Sequence, residues 1–288
     1  MILKNTNKIL LIIQRSNGDV LLSLSLIKAL FENFNQPQID ILVNDDTVQV
    51  AKTMPFINHI YTFSYLKKQA GRYKQEKNLI SSIFRKYDLS INLTSSDRSV
   101  IYAILASTNS ISAVEKNHKK SWWKKYFLSM YYYFDSSRHI LLNNLEPLNL
   151  LNISHKKTQE PIKISAEAHT KVNSMLNKKG IKNYIIFHPS AQYLYKIYPK
   201  HLRNKFLFLL NSLDVPILIT GTNNQIDLNI KNALPSLPNI YDFIGETTLQ
   251  EYIALSKSAL AYIGMDTLNM HIAASQSKRI FAIYGPTN

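Results

Sequence analysis

Three short stretches carry residue types suited to chemistry on a phosphorylated ligand. The first is Arg15-Ser16-Asn17-Gly18-Asp19-Val20, where Gly18 allows a tight turn and Asp19 projects a carboxylate near a helix start. It falls at the carboxyl end of a strand, where open α/β sheets place their ligands. The same carboxylate would equally serve as a helix cap, accepting backbone N–H groups. The second is Phe187-His188-Pro189-Ser190-Ala191, followed by Lys196 and Pro199. It leaves another strand end, and a diphosphate held there would gain a hydroxyl donor from Ser190 and a point charge from Lys196. An exposed lysine in a basic protein would read the same way. The third is Gly264-Met265-Asp266-Thr267-Leu268-Asn269-Met270-His271, followed by Tyr284-Gly285-Pro286-Thr287. Here a strand ends, Asp266 or Thr267 caps the next helix, and the free N–H groups of its first turn form an anion site. His271 lies one turn beyond Thr267, on the same face.

These stretches need elements to hold them, and the apolar pattern supplies a set. Short apolar runs alternate with amphipathic stretches, as in an α/β protein. Residues 8–13 (KILLII), 38–43, 59–63, 87–93 and 110–114 read as strands, with helices over 20–31 and 66–85. Residues 152–161 are polar, lack periodicity and end in proline, which marks an interdomain linker. The pattern then restarts with a helix over 167–179, stopped by Gly180, and strands over 184–188, 215–220, 260–264 and 279–284. Two successive domains follow from this, 1–155 and 156–288, each Rossmann-like.

Composition removes several alternatives. The chain has no cysteine, which excludes disulfides, cysteine-ligated zinc, iron–sulfur clusters and thiol nucleophiles. Dinucleotide-binding glycine fingerprints, a P-loop, a nucleophile elbow and a zinc-protease helix motif are all missing, and the eight histidines are scattered. No apolar run approaches the roughly 20 residues of a membrane span, so a soluble or at most peripheral protein is expected. The 34 Lys and Arg against 19 Asp and Glu give a net charge of +15. Such an excess steers a protein toward polyanions, or simply gives it a solvated basic surface. The basic residues are densest over 116–134 (KNHKKSWWKKYFLSMYYYF), where Lys119, Lys120, Lys124 and Lys125 flank Trp122 and Trp123. Lysines beside interfacial aromatics suit a headgroup-facing patch; the other reading is a part-buried aromatic helix or loop. No nucleic-acid module is recognisable.

Taken together, the string Gly-x-Asp-Thr-x-x-x-His-x-Ala-Ala with the later Tyr-Gly-Pro-Thr resembles the signature of glycosyltransferase family 9, the ADP-heptose:lipopolysaccharide heptosyltransferases. The opening KILLIIQRSNGDVLLSLSLIKAL, the segment HPSAQYLYKIYPKHLRNKF, ILITG and GETTLQEYIAL agree with that family in order and spacing. The resemblance implies a GT-B fold, with two Rossmann-like domains facing across a cleft. The first binds the lipopolysaccharide or lipooligosaccharide core acceptor and the second binds ADP-heptose. It implies inverting transfer without metal or cofactor, in the cytoplasm, with peripheral contact at the inner membrane. Asp19 matches the general base, while Ser190, Lys196, Gln225, Asp266, Thr267 and His271 match donor contacts. Leu268 stands where the family usually has glycine, Tyr198 where it has tryptophan, Ser25 where it has proline, and Gln225 where it often has an acid. These departures leave open a GT-B enzyme with another nucleotide-sugar donor. The chain stops at Asn288, where relatives continue, so an incomplete second domain is expected, as is the alternative of a nucleotide-binding relict without turnover.

Overall fold

The structure is a computed structural model and describes residues 6–66, 68–116, 119–154 and 162–285, excepting the side chains of 68–70 and 120. The chain divides into two compact units, Met1–Glu160 and Pro161–Asn288. The elements of the first are β1 (Lys8–Ile13), α1 (Asn17–Leu21), α2 (Leu24–Asn33), β2 (Gln38–Asn44), α3 (Val48–Ala51), β3 (Ile57–Phe63), α4 (Lys68–Ile83), β4 (Leu89–Asn92), α5 (Asp97–Ala106), β5 (Ser110–Glu115), α6 (Trp122–Phe127), β6 (Met130–Phe134) and α7 (Ile140–Leu150). Those of the second are α8 (Ala166–Lys178), β7 (Ile185–His188), α9 (Lys200–Asn211), β8 (Ile217–Gly221), α10 (Gln225–Lys231), β9 (Ile240–Ile244), α11 (Leu249–Ser258), β10 (Ala261–Met265), α12 (Leu268–Ser275) and β11 (Arg279–Ile283).

The first unit has a six-stranded parallel sheet in the order β3-β2-β1-β4-β5-β6. Its centre is built from the unbroken apolar run of β1, buried from Ile9 to Ile13 because helices cover both faces of a parallel sheet. One face packs Leu10, Ile12, Leu42 and Phe63 against Leu79 and Ile83 of α4 and Tyr102, Ala103 and Ala106 of α5. The second unit has a five-stranded parallel sheet, β11-β10-β7-β8-β9, with Phe187, Ile217, Ile219 and Ile263 packed on Leu207 and Leu210 of α9 and Ile230 of α10. On another face α8 packs against α11, and Lys171 pairs with Glu251 at 2.6 Å. That same Glu251 closes a capping box with Thr248.

Both strand orders reverse beside the first strand of their unit. In the first unit the chain runs outward through β1, β2 and β3, then returns to lay β4 on the other side of β1. In the second it runs outward through β7, β8 and β9, then returns to lay β10 against β7. Each unit therefore has a topological switch point, between β1 and β4 and between β7 and β10. Open α/β sheets bind ligands there, outside the carboxyl ends of the strands.

Three sequence expectations differ from the structure. The helix expected over 20–31 is two helices, because the Ser23 hydroxyl donates to the Val20 carbonyl at 2.7 Å and turns the chain between α1 and α2. Residues 116–134 contain a strand as well as a helix. Their MYYYF run is aromatic at nearly every position, so no period-two alternation betrays β6 at the sheet edge. The strand β9 was also unread, its IYDFI being too short to declare a period. Part of the expected linker, residues 155–161, lies outside the described residues, as do Pro286 and Thr287.

Candidate active site

At the β1/β4 switch point, Ser16 is the N-cap of α1 and its hydroxyl accepts from the Asp19 N–H at 3.4 Å. Asp19 is thus not the cap; its carboxylate is left to other work. Arg15 donates from Nε to Asp19 Oδ2 at 3.1 Å, and its guanidinium also lies 4.6 Å from the Phe134 ring centroid. The cation is held between a carboxylate and an aromatic face, which fixes the orientation of Asp19. The neighbouring loop is shaped by Asn92 at the end of β4. Its amide donates to Ser99 and Ser112 hydroxyls at 3.1 and 2.8 Å and to the Thr94 carbonyl at 2.5 Å, while its carbonyl accepts from the Thr94 N–H. Ser96 then caps α5 through the Ser99 N–H. The β1 end is joined to this loop by the Gln14 N–H, which donates to the Thr94 hydroxyl at 3.0 Å. The Gln14 amide itself is buried, and neither of its polar atoms has a hydrogen-bond partner among the described residues.

At the β7/β10 switch point the centre is a buried imidazole. His188 Nδ1 lies 2.9 Å from the Thr220 carbonyl and 3.0 Å from the Asn269 side-chain nitrogen. A carbonyl can only accept, so Nδ1 carries the proton and donates it to Thr220. Burial pushes the His188 pKa down to about 4, against opposing effects of the Asp227 charge and the Thr220 carbonyl. The ring is therefore neutral at neutral pH. Asp227 is buried as well. Its Oδ2 accepts from the Thr222 N–H at 2.6 Å, the Thr222 hydroxyl at 2.8 Å and Asn224 at 3.1 Å, and its Oδ1 has no partner among the described residues. This network ties β7, β8, α10 and α12 together beneath the mouth of the sheet. Gly264 permits the closeness: a Cβ there would lie 2.4 Å from the His188 carbonyl.

The expected donor contacts divide into two groups. Ser190 is buried in the loop leaving β7, and Lys196 closes a 3-10 turn (Leu194–Lys196) on that loop, part exposed with Nζ 5.8 Å from the Tyr195 ring centroid. Gly285, after β11, comes close to the Lys196 backbone, where a Cβ would lie 3.0 Å from its Cα. Thr267 is the N-cap of α12 but makes no capping side-chain bond. Its hydroxyl is buried beside the Tyr262 phenol, which itself donates to the Met265 carbonyl at 3.0 Å. Asp266 is exposed, 3.8 Å from His271 Nε2. These residues and the α12 N-terminus gather at one switch point. Gln225 stands apart from them: it opens α10 and donates to Asn229 at 2.9 Å on its own helix.

The expected lysine–aromatic patch needs correcting at two residues. Lys124 is 1% exposed, because its ammonium pairs with Asp97 and Glu115 at 2.9 Å each and donates to the Ser95 carbonyl. Burial raises the Glu115 carboxyl, but the Lys124 and Ser121 hydrogen bonds outweigh it and hold the group below its ordinary range. Lys124 is thus a structural cation joining α6, β5 and the start of α5. Trp123 is likewise inward, packed on Val100, Val114 and Leu128. Lys119, Trp122 and Lys125 remain accessible, and the Lys120 side chain lies outside the described residues. Sequence reasoning missed His188, Thr220, Asp227, Asn269, Arg15 and Gln14. Only Arg15 carried a local signal, four residues from Asp19; the His188–Asn269 contact spans 81 positions.

Two doubly wound units in tandem, one with an oriented carboxylate and the other with a lysine and a helix N-terminus at its switch point, define the class of GT-B glycosyltransferases. Residues 77–288 match the family model of glycosyltransferase family 9 (heptosyltransferase), and the chain belongs to that family. It is 28% identical over 289 residues to lipopolysaccharide heptosyltransferase 3 of Escherichia coli (strain K12), covering 95% of this chain and 81% of the relative. A family 9 glycosyltransferase structure from Veillonella parvula superposes with a TM-score of 0.83 at 19% identity, over 100% of this chain and 83% of that one. An Escherichia coli heptosyltransferase solved with ADP-2-deoxy-2-fluoro heptose superposes with a TM-score of 0.77 at 16% identity, over 98% and 90%. The protein is accordingly a glycosyltransferase with the α/β fold of that family.

Proposed function

We propose that this enzyme moves a heptose from ADP-heptose to the inner core of lipopolysaccharide or lipooligosaccharide, inverting the anomeric centre without a metal ion. The first unit takes the acceptor and the second the nucleotide sugar. Transfer would take place in the cytoplasm, with the protein peripheral to the inner membrane. The reading is carried by one observation: each switch point holds the charge that its half of the reaction needs. Asp19, oriented by Arg15, takes the proton from the acceptor hydroxyl as its oxygen attacks the anomeric carbon. The bond from that carbon to the diphosphate oxygen breaks, and ADP leaves with the electron pair. Lys196 and the first-turn N–H groups of α12 stabilise the charge that develops on it, as a metal ion would elsewhere. Ser190, Thr267 and His271 add donor contacts, and Asp266 accepts from a hydroxyl of the sugar nucleotide. The names of the relatives, and the sugar nucleotide with which one structural neighbour was solved, support the donor and acceptor chosen.

A second reading keeps the fold and changes the donor. It is favoured by Gln225, whose amide is engaged with Asn229 rather than free to meet a ribose, and by Leu268 at the first position of α12. Incubating the enzyme with ADP-heptose and a heptose-deficient core acceptor, in the presence of a chelator, separates the two. Product heavier by one heptose is the expected result. Transfer from a UDP-sugar alone would establish the second reading, and loss of transfer on chelation would remove the metal-free mechanism.

A further inference from the structure

The corrected patch has a definite shape. On α6, Trp122, Tyr126 and Phe127 are 70%, 79% and 59% exposed, while Trp123 and Lys124 face inward. Trp122 and Tyr126 are four residues apart and so share one side of the helix, and the Tyr126 and Phe127 rings meet edge-on at 5.2 Å. Beside them runs β6, an edge strand, with Tyr131 and Tyr133 outward and Tyr132 buried between them. Lys125 joins the two elements. Its ammonium donates to the Tyr133 hydroxyl at 3.1 Å and lies 5.0 and 5.8 Å from the Tyr133 and Tyr131 ring centroids. Lys116 and Lys119, both exposed, lead into the helix from the end of β5.

The patch carries lysines as well as rings. Glu115 and Asp97 share the buried Lys124, and Asp135, which follows β6, accepts from Ser137. Of the five exposed rings, the three tyrosines and the tryptophan carry polar tips, and lysines stand among them. That mixture differs from the charge-depleted centre of a protein–protein interface and matches the chemistry of a membrane–water boundary. No helix among the described residues is long and apolar enough to cross a membrane, and α6 has six residues, so contact would be by shallow wedging of the rings.

We propose that the α6–β6 face docks the protein on an anionic phospholipid bilayer, with Trp122, Tyr126 and Phe127 entering the headgroup layer and Lys116, Lys119 and Lys125 meeting lipid phosphates. Its purpose rests on the reading of the acceptor as lipid-linked, but its geometry does not. The strand of this face ends beside the first unit's switch point, since Phe134, the last residue of β6, is the ring on which Arg15 lies. Docking would therefore hold the Asp19 mouth close to a surface bearing the acceptor.

The chain has two tryptophans, Trp122 and Trp123, so its tryptophan emission reports this face directly. Vesicles of phosphatidylethanolamine and phosphatidylglycerol should bind the protein, shift that emission to the blue and, when brominated, quench it. Phosphatidylcholine vesicles should do neither. The double variant Tyr126→Ser/Phe127→Ser should lower vesicle partitioning by about tenfold or more and leave transfer to a short, water-soluble core acceptor unchanged. Vesicle binding with unaltered emission, or no binding to anionic vesicles, would overturn the proposal. Failure of ADP-heptose transfer with vesicle binding intact would instead count against the functional reading alone.

Discussion

The two switch points have the same topology and opposite chemistry. The mouth of the first unit holds a part-exposed carboxylate clamped by an arginine, with a hydroxyl-lined loop beside it. The mouth of the second holds a buried, neutral histidine under a helix N-terminus, with a lysine on the adjoining loop. The first arrangement keeps a carboxylate oriented and wet. The second keeps its floor imidazole uncharged, leaving the first-turn N–H groups of α12 and Lys196 as the positive groups at the mouth. In the proposed reaction one strand order serves proton removal in one unit and anion binding in the other, and the difference lies in a few residues at the strand ends.

If that division is right, changes at the two mouths should affect different quantities. The largest effect is expected from Asp19→Asn, which should lower the turnover rate by roughly 10²–10⁴-fold and leave ADP affinity nearly unchanged. Steady-state kinetics beside ADP titration would reveal the split. Lys196→Ala should weaken ADP binding by about tenfold or more, the worth of one charge-assisted contact. Gly264→Ala should destabilise the second unit by about 1–3 kcal/mol, because the new methyl meets the His188 carbonyl and one backbone must move. Thermal unfolding would register it.

Smaller and more diagnostic is the acid dependence. The unfolded His188 imidazole titrates near 6.5, and the folded one near 4. As pH falls, the unfolded state takes up the proton first. This contribution to stability is therefore complete above about pH 6.5 and is lost as pH falls toward about 4. His188→Gln should flatten that part of the stability-versus-pH curve. At the other mouth, Gln14→Leu should be neutral or stabilising by up to about 1 kcal/mol, because it removes a buried amide without partners among the described residues. A marked loss of stability there would mean that the amide is satisfied in the folded protein.

The fold was largely legible because its evidence is local. The apolar run of β1, the restart after residue 161 and the stop at Gly180, where φ is +67°, each declare themselves within a few residues. The candidate site was legible only where a motif is contiguous, as from Gly264 to His271. Its floor was not, since His188, Thr220 and Asn269 come together from three separate stretches. Lys124 illustrates the reverse error. A lysine among lysines reads as a surface cation, and only the placement of Asp97 and Glu115 shows that it is buried.

The most direct test of the division between the mouths is a metal-free calorimetric titration of the wild type, Asp19→Asn and Lys196→Ala with ADP, UDP and GDP. The account predicts binding selective for ADP in the wild type, retained in Asp19→Asn and weakened in Lys196→Ala. Equal affinity in all three proteins, or loss of binding in Asp19→Asn instead, would contradict it.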